Sequence, residues 1–238
     1  MFKNIRSLGV LLDAFGVLEH VLEVAISLAE TNEERSAALQ ELSLLHQQIG
    51  GRKTDTSRKS LSKARNELGD QPDPWLQLNT DFGLLSQTII TLKNRPWLFF
   101  TVSGLFRQYE QDIELFRKKT SDKESAALHE SLYHLYRGRY RFKVFGWLAN
   151  IITPLADWII APFDVARSTI GDAKDIHLHS QIDVLAYRSI ARAYLRRCKN
   201  PKVEMSEIER LVKVLNDDAR SKHWENQKRE IAKHCGGI

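Results

Sequence analysis

The sequence predicts an all-α protein, a multi-helix bundle of roughly seven to nine helices. Apolar residues recur at three- and four-residue spacing along most of the chain, and no stretch alternates as a strand would. Only 12 glycines and 6 prolines occur in 238 residues, most of them where helices would end. Two capping boxes, at Thr31–Glu34 and Ser206–Glu209, mark helix starts.

The first fifty residues predict an antiparallel helical hairpin. A helix from about residue 4 to residue 30 is apolar over most of its surface, and its narrow polar stripe includes Glu19, His20 and Glu23. A helix this apolar is expected to have neighbours on several sides, in the core. A membrane-surface helix usually has a basic polar face, whereas this stripe is acidic. A second helix follows after a short joint and ends at residue 50, which predicts the hairpin.

A polar, basic segment comes next and predicts a linker. Residues 50–60 read GGRKTDTSRKS, and residues 70–74 read DQPDP, which is a second break. A short helix is expected between these breaks, from Leu61 to Leu68. The predicted domains are therefore an N-terminal helical hairpin at 1–50, a linker with a short helix at 51–74, and a main helical bundle at 75–238.

The most unusual segment is the apolar run VFGWLANIITPLADWIIAPF at 144–163. Its strongly apolar residues favour membrane insertion by about 3–5 kcal/mol, but one central Asp such as Asp157 costs about 2.5–3.5 kcal/mol. Asn150 and two prolines add further cost. Thr153–Pro154 has the features of a new helix start, and Pro162 is expected to break that helix. We therefore predict a Pro-kinked apolar helical hairpin in the core, with shallow membrane contact and a true span as alternatives.

A stretch of alternating cations and aromatics, YRGRYRFK at 136–143, runs directly into this apolar run. We call it the basic-aromatic segment. Arginine pairs with phosphate through two hydrogen bonds, and tyrosine can stack on a base or lie at a lipid headgroup. The alternative is a solvated helix face whose aromatics pack inward. The predicted binding residues are Tyr136, Arg137, Arg139, Tyr140, Arg141 and Lys143, with Trp147 and Trp158 as anchors at an interface.

The net charge of +5 and the pI near 9.2 are compatible with anionic partners. We expect a non-enzymatic interaction protein that binds a protein partner or an anionic surface through the basic-aromatic segment. Peripheral association with an anionic lipid membrane is one alternative, and nucleic acid is another candidate partner. The sequence contains no P-loop, dinucleotide fingerprint, nucleophile elbow or HExxH motif, so we predict no cofactor.

The histidines do not form a metal site in the sequence. His177 and His179 point about 200° apart on a helix, so both cannot bind one ion from the same face. His179 with Asp183 has the right spacing, as have Asp175 with His179 and Glu130 with His134, but each pair supplies only two ligands. Because a zinc site needs three or four protein ligands, no metal is predicted.

One short motif suggests an enzyme. Residues 229–234 read REIAKH, an arginine followed five residues later by a histidine. The motif resembles the signature of HEPN-type ribonucleases, which are all-α proteins that cleave RNA without metal. The resemblance implies that Arg229 stabilises phosphate charge and that His234 transfers protons. It covers six residues, and Glu230 departs from the small polar residue common after the arginine.

The cysteines and the N-terminus bear on the compartment. Cys198 and Cys235 are widely spaced and predict free thiols in a reducing compartment. Acidic residues interrupt the first apolar stretch, so it does not have the form of a signal peptide. We expect a cytoplasmic protein, with a peripheral membrane location as the alternative.

Overall fold

A computed structural model describes residues 2–49, 53–69, 72–92, 94–170, 178–198 and 201–235. Within these ranges the regular structure is entirely helical, which confirms the predicted all-α class. The ranges contain ten α-helices rather than seven to nine, and one 3-10 helix at Pro96–Leu98. The α-helices are α1 (Phe2–Leu28), α2 (Asn32–Ile49), α3 (Lys53–Glu67), α4 (Pro74–Thr91), α5 (Phe99–Lys119), α6 (Lys123–Ala149), α7 (Thr153–Ile170), α8 (Leu178–Tyr194), α9 (Pro201–Leu215) and α10 (Asp218–Cys235).

The chain forms two compact units, Met1–Thr120 and Ser121–Ile238. The first unit contains α1 to α5, and the second contains α6 to α10. The predicted hairpin at 1–50 and the predicted linker at 51–74 both fall within the first unit. The predicted main bundle at 75–238 contributes residues to both units.

Helix α3 occupies most of the segment predicted to be a linker. It begins at Lys53 rather than Leu61, while the glycine pair before it lies outside the described residues. Its serines are buried against α2: the hydroxyls of Ser43 and Ser57 lie 2.8 Å apart, and the Ser36 hydroxyl donates to the Ala64 carbonyl at 3.0 Å. These serines are therefore small interface residues that allow α2 and α3 to approach closely.

The first unit also contains a pair of buried carboxylates. Asp81 on α4 is 2% exposed and lies 3.0 Å from Nε of Arg65 on α3. Asp112 on α5 is also buried and accepts a hydrogen bond from the side-chain amide of Gln77. Burial, with the neighbouring charge of Asp112, raises the pKa of Asp81 to about 8, although the Arg65 guanidinium acts in the opposite direction.

Helix α1 packs against α2 along one side. The contact includes a 2.9 Å hydrogen bond between Glu19 and the buried imidazole of His46. The opposite side of the helix, over the side chains described from residue 15 onward, is exposed and apolar. The prediction that this helix is surrounded by core neighbours is therefore wrong for residues 15–28.

In the second unit, α6 and α7 form an antiparallel hairpin. The Ser131 hydroxyl donates to the Ala166 carbonyl at 2.9 Å, and the chain turns at residues 150–152. Phe163 packs so closely on α6 that a Cβ at Gly138 would lie 2.7 Å from its ring. Pro162 lies inside α7 and does not end it, contrary to the predicted break.

The C-terminal region contains two helices, α9 and α10. Helix α9 begins at Pro201, before the predicted capping box at Ser206. It stops at Leu215 because Asn216 adopts a left-handed φ of 50°, and Asp217 then accepts a hydrogen bond from the Arg220 amide at 3.1 Å. Asn216 therefore ends α9 and Asp217 caps α10. The sequence patterns did not indicate this turn, which adds one helix to the predicted number.

Helices α8, α9 and α10 surround a core that contains Ile182, Ile208 and the buried indole of Trp224. A disulfide between Cys198 and Cys235 joins the segment that follows α8 to the last residue of α10. The prediction of two free thiols is therefore wrong, since residues 37 positions apart are brought together by the helix packing. The argument for a reducing compartment loses its basis with it.

A partly buried ionic network connects α7, α8 and α9. Arg188 and Arg192 on α8 both bind Glu204 on α9 and Asp164 on α7. Glu204 also accepts from the Ser189 hydroxyl at 2.8 Å, and it is 7% exposed. Each carboxylate faces two guanidinium groups, so the buried charges are compensated.

Candidate functional site

The turn between α6 and α7 carries four large apolar side chains that point into solvent. Trp147 is 70% exposed, Ile151 75%, Ile152 45% and Trp158 41%. We call these four residues the apolar tip. Trp147 lies in the last turn of α6, the two isoleucines form the turn, and Trp158 lies near the start of α7. Two predicted anchor residues therefore occur on one exposed hairpin end.

The apolar run at 144–163 thus has two faces rather than one. Ala156, Ile159, Ile160 and Phe163 are buried, at the spacing of one side of α7. Trp158, between them in sequence, lies on the other side. The prediction of a buried apolar hairpin holds for the first face and is wrong for the second. The hydrophobicity of the sequence could not distinguish the buried face from the exposed face, because both faces are apolar.

The arginines of the basic-aromatic segment are largely engaged inside the protein. The Arg139 guanidinium lies 4.6 Å from the ring centroid of Tyr136 and 4.2 Å from that of Tyr187. Arg137 lies 5.8 Å from the Tyr133 ring. These cation–π contacts cover aromatic faces that an incoming base would need for stacking.

The tyrosines of this segment pack inward to different extents. Burial raises the pKa of Tyr136 above its ordinary value, and burial also raises the pKa of Tyr140. Both phenols are therefore neutral near pH 7. Lys143, by contrast, is exposed on α6, one turn before Trp147.

Arg141 connects the basic-aromatic segment to the apolar tip. Its guanidinium lies 3.9 Å from the ring centroid of Trp158, and its Nη1 donates to the Trp158 carbonyl oxygen at 2.7 Å. Phe145 contacts the same indole edge-to-face at 5.6 Å. Burial lowers the pKa of Arg141 from its ordinary value, with Arg137 contributing, but an arginine remains charged at neutral pH. The indole is therefore held in place on two sides.

One further cation, Arg197, contacts the same end of the hairpin from just beyond the end of α8, and Arg196 is the residue before it. The Arg197 guanidinium lies 3.4 Å from the Thr153 carbonyl and 3.4 Å from a carboxylate oxygen of Asp157. Arg196 is exposed and ends the helix with a left-handed φ of 54°. Neither arginine was among the predicted site residues. Their only signal was a cluster of cations around Cys198, about 45 positions from the tip in sequence.

The candidate catalytic pair does not converge within the chain. Arg229 and His234 are both exposed on α10, and five residues separate them by about 140° around a helix. The His234 ring lies 4.1 Å from the Tyr194 ring, and Glu230 accepts a hydrogen bond from the Tyr194 hydroxyl at 3.4 Å. Arg229 and His234 of one chain therefore cannot both contact the same phosphate from one face of α10.

The candidate metal ligands are also separated or engaged. His177 and Asp175 lie outside the described residues. Asp183 forms an ion pair with Arg220, which also donates to the His179 carbonyl at 3.2 Å. The described part of the chain contains no group of three or more residues able to hold a metal ion.

Comparisons with models of known protein families, with curated proteins and with solved structures give no match for this chain. Among the described helices, none combines the length and the hydrophobicity required to cross a bilayer.

Proposed function

We propose that this protein is a non-enzymatic interaction protein that binds peripherally to anionic lipid surfaces through the apolar tip. The observation that carries the proposal is the exposure of Trp147 and Ile151 at the end of the α6–α7 hairpin, 70% and 75% respectively. Exposed tryptophan and isoleucine side chains at a turn between two helices can enter the acyl boundary while the helices remain outside.

The spacing along α7 supports shallow insertion. Trp158 is five residues from the start of the helix, which is about 8 Å along its axis. Interfacial helices bury their apolar face by about 5–10 Å. With Ile151 and Ile152 in the acyl boundary, Trp158 and the stacked Arg141 would lie at headgroup depth, where tryptophan and arginine are favoured.

The charges near the tip favour an anionic surface. Arg141, Lys143, Arg196 and Arg197 are four cations, and Asp157 is a nearby carboxylate that pairs with Arg197. Each basic residue near an anionic membrane contributes about 1 kcal/mol. Neutral vesicles should therefore bind the protein more weakly than vesicles that contain phosphatidylserine.

The other candidate partners have less support. The arginine contacts on Tyr133, Tyr136 and Tyr187 leave fewer aromatic faces for nucleic-acid bases. A protein partner would also bury the apolar tip, but it would not require phosphatidylserine. The two therefore give different outcomes in the same experiment.

Vesicle co-sedimentation at low salt tests the proposal. The wild-type chain should sediment with phosphatidylcholine–phosphatidylserine vesicles, and the double variant Trp147→Ala/Ile151→Ser should bind at least about tenfold more weakly because apolar contact is lost. The matched control is Trp97→Ala/Val214→Ser, at two residues that are 60% and 54% exposed and do not belong to the apolar tip. Equal loss in both variants, or no binding of the wild type, would overturn the proposal.

A second pair of variants tests the charges. Lys143→Gln/Arg196→Gln should weaken binding about 30-fold, since two cations contribute about 2 kcal/mol. Lys202→Gln/Arg210→Gln removes two exposed cations of α9 and serves as the control. Binding that is insensitive to phosphatidylserine and to Lys143→Gln/Arg196→Gln would contradict the anionic-lipid assignment and favour a protein partner.

A further inference from the structure

Helix α1 has an apolar face that is exposed over its described side chains, from residue 15 onward. Its partly buried residues, from Phe15 through Leu22 to Ala29, recur at helical spacing and mark the side toward α2. On another side, Val17 is 65% exposed, Val21 55%, and Leu28 72%. Leu18 and Val24 are exposed on the same side. A contiguous row of this size on a soluble helix marks an interaction surface.

The spacing of this row is that of a coiled-coil seam. Val17, Val21, Val24 and Leu28 follow the alternating four- and three-residue spacing of heptad positions a and d. In sequence the same pattern continues back to Ala14 and Val10. Six successive seam positions are therefore apolar, and the natural partner of such a seam is another helix with the same repeat.

We propose that this seam pairs with the α1 seam of a second copy of the chain, in antiparallel orientation. The distribution of charge along the helix is the reason for choosing a second copy as the partner. By sequence, Lys3 and Arg6 are at its beginning, whereas Glu23 is in its second half and Glu30 is just beyond its end. Glu19 lies on the α2 side, where it binds His46, and is not part of this pattern. An antiparallel copy brings the basic end of each helix beside the acidic end of the other. The two helix dipoles are then opposed, which also favours the pair.

The same charges argue against the other occupants. A parallel pair would place acidic ends together and basic ends together, which is unfavourable. An anionic membrane would repel the acidic half that carries the exposed Val21, Val24 and Leu28. The surface is therefore separate in function from the apolar tip, and the inference does not rest on lipid binding.

The oligomeric state of the full chain tests the inference. Sedimentation equilibrium should detect a concentration-dependent dimer, and Val21→Glu should raise its dissociation constant at least about 100-fold, because a charge would be buried in an apolar seam. Val203→Glu, at a residue that is 67% exposed on α9, is the matched control. A wild-type chain that stays monomeric at high concentration overturns the inference, as does equal weakening by the two variants.

Cysteine crosslinking tests the orientation. Val17→Cys is close to the midpoint of the antiparallel pair, so a short bismaleimide should join the two copies efficiently. The two copies of Leu28→Cys would be about 35–40 Å apart along the axis and should not react. The native cysteines are joined to each other and do not compete. Efficient crosslinking at residue 28 would exclude the antiparallel arrangement.

A vesicle control separates this surface from membrane binding. Vesicles of phosphatidylcholine alone and of phosphatidylcholine with phosphatidylserine should bind Val21→Glu as they bind the wild type. Loss of vesicle binding in Val21→Glu, with a wild type that is monomeric, would overturn the second copy as occupant and assign the seam to lipid.

Discussion

Arg141 donates a 2.7 Å hydrogen bond to the carbonyl oxygen of Trp158, and the same guanidinium lies 3.9 Å from the centroid of the Trp158 indole. Pro162 is four residues further along α7 and is the position whose amide would normally bind that carbonyl. Proline has no amide hydrogen, so the carbonyl lacks its usual donor four residues further along the helix. The Arg141 guanidinium therefore supplies the missing donor and also holds the Trp158 indole of the apolar tip in place.

Replacing this arginine should destabilise the second unit. Arg141→Ala removes a charged hydrogen bond and a cation–π contact, and the free energy of unfolding should fall by about 2 kcal/mol. Urea denaturation measures the change. The control Arg210→Ala, at an exposed arginine of α9, should alter the free energy of unfolding by less than about 0.5 kcal/mol.

The role of Pro162 predicts a coupling between two sites. In a Pro162→Ala background the helix can supply its own donor to the Trp158 carbonyl, so Arg141→Ala should cost less than it does in the wild type. We expect a coupling energy of about 1 kcal/mol in a double-mutant cycle. Additive effects of the two substitutions would show that Arg141 does not substitute for the missing amide.

Two glycines in helix interiors should respond in opposite directions to alanine. Gly138→Ala places a Cβ 2.7 Å from the Phe163 ring, and overpacking of this kind costs about 1–3 kcal/mol. A Cβ at Gly104 on α5 meets nothing within 4 Å, so Gly104→Ala should stabilise its helix by about 0.5–1 kcal/mol. Thermal and urea unfolding of each variant check both signs. Stabilisation by Gly138→Ala would mean that α6 and α7 are further apart than described.

The features of the fold and of the candidate site that could be predicted from the sequence are those formed by residues close together in the chain. The capping box at Thr31 was predicted, and its hydrogen bonds are present: the Glu34 amide donates to the Thr31 hydroxyl at 3.1 Å, and the Glu34 carboxylate accepts from the Thr31 amide at 3.2 Å. Helical class follows from the same local patterns.

Features that join distant residues could not be predicted in this way. The second capping box, at Ser206, is inside α9 because Pro201 begins the helix earlier. The contact of Arg197 with Thr153 spans 44 residues, and the bond between Cys198 and Cys235 spans 37. Spacing in the sequence contains no information on such pairs until the helices have packed.

The disulfide leads to a prediction for the second unit. The bond between Cys198 and Cys235 closes a loop of 37 residues, and restricting a loop of this length in the unfolded chain contributes about 4 kcal/mol. Dithiothreitol, or Cys198→Ser/Cys235→Ser, should lower the free energy of unfolding by an amount of that order. The double variant should not respond to dithiothreitol. Two titratable thiols in non-reduced protein would contradict the bond.

The buried carboxylate Asp81 predicts that the first unit loses stability as pH rises. Burial beside Asp112 raises the pKa of Asp81 to about 8, whereas in the unfolded chain it is near the ordinary 3.8. The folded state therefore holds a proton that the unfolded state has released, and the stabilisation is complete below pH 4 and lost as pH rises through about 8.

Urea unfolding between pH 5 and pH 9 should follow this sign, with a slope of no more than about 1.4 kcal/mol per pH unit for one proton. Asp81→Asn mimics the protonated acid and should flatten the profile, so its stability relative to the wild type should increase toward pH 9. Glu110→Gln, at an exposed residue of α5, should leave the wild-type slope intact. If Asp81→Asn retains that slope, or if the wild type gains stability between pH 5 and pH 9, Asp81 is already ionised in the folded protein and Arg65 outweighs its burial.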